Sequence, residues 1–77
     1  MPTLFTKDGF RFFFYSNDHA PIHVHVCKGE GEAVFEVEGD VALRESVGFK
    51  VRELTIAEKL AEENKNLIIE KWHEFFD

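Results

Sequence analysis

"IHVHVCKGEGEAVFEVE", residues 22–38, is the stretch whose reading decides the fold. On either side of "GEGE" apolar and polar residues alternate with period two, the signature of half-buried strands. Val24 and Val26 share one side of the first run, with His23, His25 and Cys27 on the other. In the second run Ala33, Phe35 and Val37 oppose Val34, Glu36 and Glu38. With Gly29–Glu32 as the turn and Lys28 opposite Ala33, a register follows. Val26 meets Phe35 and Val24 meets Val37, while His25 faces Glu36 and His23 faces Glu38. Both periodicities fit together, and a slip by one residue would invert every side chain. Opposed residues on one face have Cβ atoms about 4.5–5.5 Å apart. Histidine–glutamate contact is therefore the expectation.

Working outward, "TLFTKDGFRFFFYS" reads as another hairpin. Asp8-Gly9 is a two-residue turn signal, flanked by strands near Thr3–Thr6 and Phe10–Ser16. Phe10, Phe12 and Phe14 share one face of the longer strand, and Arg11, Phe13 and Tyr15 the other. A strand apolar on both faces belongs inside a sheet or under a partner. "SNDHAP" is loop chemistry: Ser, Asn and Asp compete for backbone hydrogen bonds, and Pro21 restricts Ala20. Gly39-Asp40 turns the chain into a short edge strand, Val41–Glu45. Beyond Val51 the period becomes helical, with Val51, Leu54, Ala57, Ala61, Ile68, Trp72 and Phe75 on one stripe. "EENKN" interrupts it, and Asn64 is the expected N-cap of a second helix. The reading is one α+β domain over residues 1–77. An antiparallel sheet of four to five strands carries two C-terminal helices, 51–62 and 65–76, on one face. A single bent helix is the alternative.

Composition bounds the function. A chain of 77 residues buries only about 60% of its unfolded surface. Nine phenylalanines supply much of that core, at roughly 150–250 Å² for each aromatic ring. The formal charge is −6, and no Lys/Arg cluster is present. Nucleic acid and anionic membranes are thus disfavoured, and a basic protein partner is favoured. One cysteine cannot close an internal disulfide. No leader pattern and no apolar run near the roughly eighteen residues of a membrane span stand out. A soluble, cytoplasmic protein is expected.

The chemistry concentrates in "NDHAPIHVHVC". His23 and His25 project from one strand face, and His19 could reach over from the loop. These three are the candidate metal ligands, with Glu36, Glu38 or Cys27 completing a tetrahedral set for Zn, or for Ni or Cu. The bland alternative is a row of His–Glu pairs on a solvated face. A catalytic reading would use a histidine with Asp18, Glu36 or Glu38 as general base. Cys27 is a poor nucleophile, because neighbouring carboxylates disfavour its thiolate. Asp18 reads most simply as the residue that holds its own loop. Phe13, Tyr15, Trp72, Phe75 and Phe76 exceed what one thin core needs. Core packing is the simpler account, and an interface with a partner or a second copy the other.

Tyr15, Asp18, His19, Pro21, His23 and His25, followed by "GEGEAVFEVE" and "LIIEKWHEFF", resemble a family of small bacterial proteins designated domain of unknown function 4160. The resemblance covers nearly the whole chain. Ile22 departs from it, since many members carry a second proline there. The resemblance implies a protein partner, because similar members sit beside another small protein in a toxin–antitoxin-like arrangement. It carries over no catalytic assignment. The binding set taken from these readings is Tyr15, Asp18, His19, His23, His25, Glu36 and Glu38. The leading function is a non-enzymatic binding module presenting a His-rich sheet face. The alternative is a metal-dependent hydrolase or nuclease.

Overall fold

The computed structural model describes residues 3–76. Five strands precede two helices: β1 (Thr3–Lys7), β2 (Phe10–Phe13), β3 (His23–Lys28), β4 (Gly31–Glu36), β5 (Ala42–Val47), α1 (Val51–Glu63) and α2 (Lys65–Phe76). The sheet is an antiparallel meander in chain order, β1-β2-β3-β4-β5. The fold is α+β, as the alternation and the change of period predict.

Asp8 and Gly9 both take positive φ, 54° and 84°, which suits the type I′ turn expected of that pair. Lys7 then pairs with Phe10. β2 lies between β1 and β3, so both of its faces can be covered. Its inner face sends Phe10, Phe12 and, just beyond the strand, Phe14 into the core. Val24, Val26, Ala33, Phe35 and Val37 join them from β3, β4 and the residue beyond β4.

The central hairpin corrects the predicted register. Lys28 pairs with Gly31, Val26 with Ala33, Val24 with Phe35, His25 with Val34 and His23 with Glu36. The turn is the two residues Gly29-Glu30, not the four residues Gly29–Glu32. Gly29 stands at its first central position with φ 58°, the place where a type II′ turn needs glycine. Every pairing moves by two residues, so each side chain keeps its predicted face while its partner changes. His25 and Glu36 are not opposite one another, nor are His23 and Glu38.

The helices cover one face of the sheet. Ala57, Leu60 and Ala61 of α1 and Ile68 and Trp72 of α2 are buried there. An aromatic chain runs through the layer. Phe5 stacks on Phe12 at 4.5 Å, Phe14 meets Trp72 edge-on at 5.3 Å, and Trp72 packs on Phe76 at 4.3 Å. Val51 and Phe75, placed on the apolar stripe from sequence, are exposed. Both sit in terminal turns of the helices, and Phe75 lines a surface hollow with Thr3, Leu4 and Phe14. Asn64 separates the helices, but its side chain does not cap α2. Its amide turns back to donate to the Leu60 carbonyl (2.9 Å), closing α1, while its own carbonyl accepts from Ile68 N–H (2.9 Å). Lys65, at the start of α2, donates to the Gly39 carbonyl in the turn before β5.

Candidate functional site: a carboxylate between two imidazoles

The outer face of the sheet carries the side chains that the helices do not cover. Residues 15–22 fold back over the start of β3. Asp18 holds this loop as its residue type predicts: Tyr15 N–H donates to Oδ2 (2.9 Å), and Asp18 N–H donates to the Tyr15 carbonyl (3.1 Å). The Ala20–Pro21 peptide is cis. The loop delivers the Asp18 carboxylate to the two strand histidines. His23 Nε2 lies 3.2 Å from Oδ1, and His25 Nε2 lies 3.1 Å from the same oxygen. The acid that meets the histidines is thus Asp18 from the loop, not Glu36 or Glu38.

Each ring is fixed from behind. His23 Nδ1 donates to the Pro21 carbonyl at 2.8 Å, and its ring sits 5.3 Å from Trp72, which α2 brings to the beginning of β3. The residue is only 5% exposed. His25 stacks on Phe13 at 5.5 Å and meets Tyr15 edge-on at 4.5 Å. Arg11 also lies over the Phe13 ring, its guanidinium 4.7 Å from the ring centre. Side-chain exposures of 10% for Asp18, 6% for His23 and 12% for His25 make this a largely dry cluster. Burial works to raise the Asp18 carboxyl. Hydrogen bonds from the Tyr15 backbone, His25 and His23 outweigh it and hold the group below its ordinary value.

The remaining residues of the predicted binding set stand apart. His19 is exposed and outside the cluster, since the group able to share one ion is Asp18, His23 and His25. Glu36 is opposite His23 but reaches Arg44 of β5 at 3.6 Å. Glu38 accepts the Ile22 backbone N–H at 3.2 Å, bracing the far end of the loop. Cys27 is a free, half-buried thiol paired across strands with Arg11 and Glu32.

Beside His25 the outer face opens into a groove of about 340 Å³. Tyr15 and His25 form one wall, Glu32 and Val34 the floor, and Glu45 and Val47 of β5 the other wall. Tyr15 donates its hydroxyl to Glu32 at 3.2 Å. Partial desolvation and the Glu32 carboxylate raise the Tyr15 phenol above its ordinary value, so it remains a donor. Reasoning from the sequence missed Glu32, Val34, Glu45 and Val47. Their signal was parity: once Glu32 is opposite Val47 and Val34 opposite Glu45, all four lie on one face.

A five-stranded meander backed by two helices, with a His/Asp cluster where the loop crosses onto β3, defines a small α+β protein of compact design. The chain belongs to the family described as domain of unknown function DUF4160, whose model matches residues 9–73. No curated protein and no solved structure matches it. Among the described residues no helix is long and apolar enough to cross a membrane.

Proposed function

We propose that this protein is a non-enzymatic binding module, and that its outer sheet face takes up a basic, extended segment of a protein partner alongside β5. The observation that carries the reading is the groove between Tyr15/His25 and Glu45/Val47, which opens directly onto an edge strand. β5 is exposed along all six residues, and Val47 is 69% exposed. An edge strand presents a row of backbone donors and acceptors that another strand can pair with. The charges select the partner. Arg44 is the only cation on β5, and Glu36 takes it up. Glu32 and Glu45 have no basic partner among the described residues. A lysine or arginine from an added strand would lay its methylene stem over Val34 and Val47 and set its charge between these carboxylates. A small protein encoded beside this one, as in the toxin–antitoxin-like arrangement that the family resemblance implies, is the natural place to seek such a segment.

A nuclease reading fits the same face poorly. Two uncompensated carboxylates at the groove would repel a phosphodiester backbone. A hydrolytic reading needs a reactive centre open to substrate, and the three side chains of the His/Asp cluster are 6–12% exposed.

The test is a titration of isotope-labelled protein with an alternating Val-Lys peptide and with its Val-Glu counterpart. Amide shifts confined to β5, Glu32 and Tyr15, seen with the lysine peptide and weakened by salt, are expected. The Glu32→Lys/Glu45→Lys double variant should lose them. Shifts on the helical face, or equal responses to the two peptides, would sink the reading.

A further inference from the structure

We propose that Asp18, His23 and His25 form a site for one divalent transition-metal ion of the zinc class, which clamps the 15–22 loop onto β3. The argument begins with a proton. The Pro21 carbonyl can only accept, so His23 Nδ1, 2.8 Å away, must carry the hydrogen. In the neutral ring Nε2 then offers a lone pair, and it points at a carboxylate oxygen 3.2 Å off. His25 Nε2 converges on that same oxygen from 3.1 Å. A proton or a cation must sit between His23 Nε2 and the carboxylate, because two electron pairs facing one another in a dry pocket repel. His25 Nε2 either donates to Asp18 in its N–H tautomer or offers a second imidazole lone pair to that cation.

The spacing suits the cation. Ligands placed about 2.0–2.1 Å from a tetrahedral zinc ion stand roughly 3.3 Å from one another. The two carboxylate–imidazole separations are 3.1 and 3.2 Å, and all three donor atoms lie within 4.8 Å of one another. Two imidazoles and one carboxylate are a donor set that borderline divalent ions accept. The supports behind the donors match as well. Metal-bound histidines commonly donate their other ring N–H to a carbonyl or carboxylate. His23 does so to Pro21, while Asp18 is steadied by the Tyr15 backbone N–H and His25 by two aromatic rings.

Three protein donors leave a tetrahedral ion one further position. The low exposure of the donors gives the ion a structural task. It joins the loop to β3 and, through the ring contact between His23 and Trp72, secures both to α2. Such a clamp matters in a chain whose core is this small. The site is distinct from the groove, with which it shares His25 and the supporting residue Tyr15.

Tag-free protein, stripped with EDTA and titrated with Zn²⁺ and with Co²⁺, decides between ion and protons. Uptake of one equivalent and an upward shift in Tm are expected, because an ion that binds only the folded state stabilises it. Co²⁺ should also quench emission from Trp72, the single tryptophan of the chain, which makes the signal specific to this corner. Asp18→Asn and His25→Gln should each weaken Zn²⁺ binding more than about tenfold, and His19→Ala should leave it unchanged. No Tm shift and no quenching with metal in large excess would mean that protons alone bridge the cluster, and would overturn the proposal. So would undiminished binding by Asp18→Asn, or binding lost in His19→Ala. If the ligand variants do not fold, the wild-type titration still discriminates, since stoichiometry and Trp72 quenching need no substitution.

Discussion

His23 shows how one side chain can be correctly placed and still misread. Alternation assigns it to the outer face, where a histidine at a strand end would be expected to meet water. It is nearly inaccessible, because the 15–22 loop and Trp72 close over the start of β3. Three attachments follow: Nδ1 to Pro21, Nε2 to Asp18, and the ring face to Trp72. Truncation removes all three and leaves a buried carboxylate short of a partner. His23→Ala should therefore cost about 2–4 kcal/mol in metal-free protein, measured by urea unfolding with EDTA present. His19→Ala, on the exposed part of the same loop, should stay within about 0.5 kcal/mol of wild type. A similar loss in both variants would show that the loop, not the buried ring, sets the cost.

At the scale of elements, Gly31 does something that no hairpin rule announces. A Cβ built on it would lie inside van der Waals contact of the Phe49 ring. The ring packs against the core from the segment between β5 and α1, and meets Phe10 at 5.9 Å. Gly31→Ala should destabilise by about 1–3 kcal/mol through overpacking, read as a fall in Tm. Adding Phe49→Leu should restore part of that loss, because the two changes share one space. If the double variant is merely additive, the clash is not the cause.

The same glycine pair explains how much could be read from the sequence. "GEGE" permits a two-residue turn at Gly29-Glu30 and a four-residue turn at Gly29–Glu32. The two registers differ by two residues, which alternation cannot tell apart. Faces were therefore legible and partners were not. The helices were legible to within a residue at their ends, because Val51 to Phe76 keeps one period on each side of Asn64. The role of Asn64 was not, since an amide can close one helix as readily as it opens the next. Asp18 was recognised as a loop holder, yet its convergence on two histidines depends on how the loop folds across β3. That is a tertiary fact with no local signature.

For the whole molecule, helices on one face leave the other to cover itself. Phe13 is 2% exposed with no helix above it; Arg11, Tyr15 and His25 cover it instead. The helical side holds the main apolar reserve, and α2 enters it chiefly through Ile68 and Trp72. Ile68→Ala should cost about 2–5 kcal/mol. Domains of this size have limited stability to spare, so a strongly lowered urea midpoint, with α2 the first segment to exchange its amide protons, is expected. Unchanged protection in α2 would show that Trp72 anchors it alone.

The order of the sheet bears on how the protein is made. Each strand bonds only to its neighbours along the chain, and the helices are the last elements. No segment has to wait for a distant one before it can pair, so little loop-closure entropy delays assembly. Successive hairpins can dock in order of synthesis, but the exposed inner valines and phenylalanines stay wet until residues 57–72 arrive. The closing helical layer turns the sheet from a sticky ribbon into a finished fold.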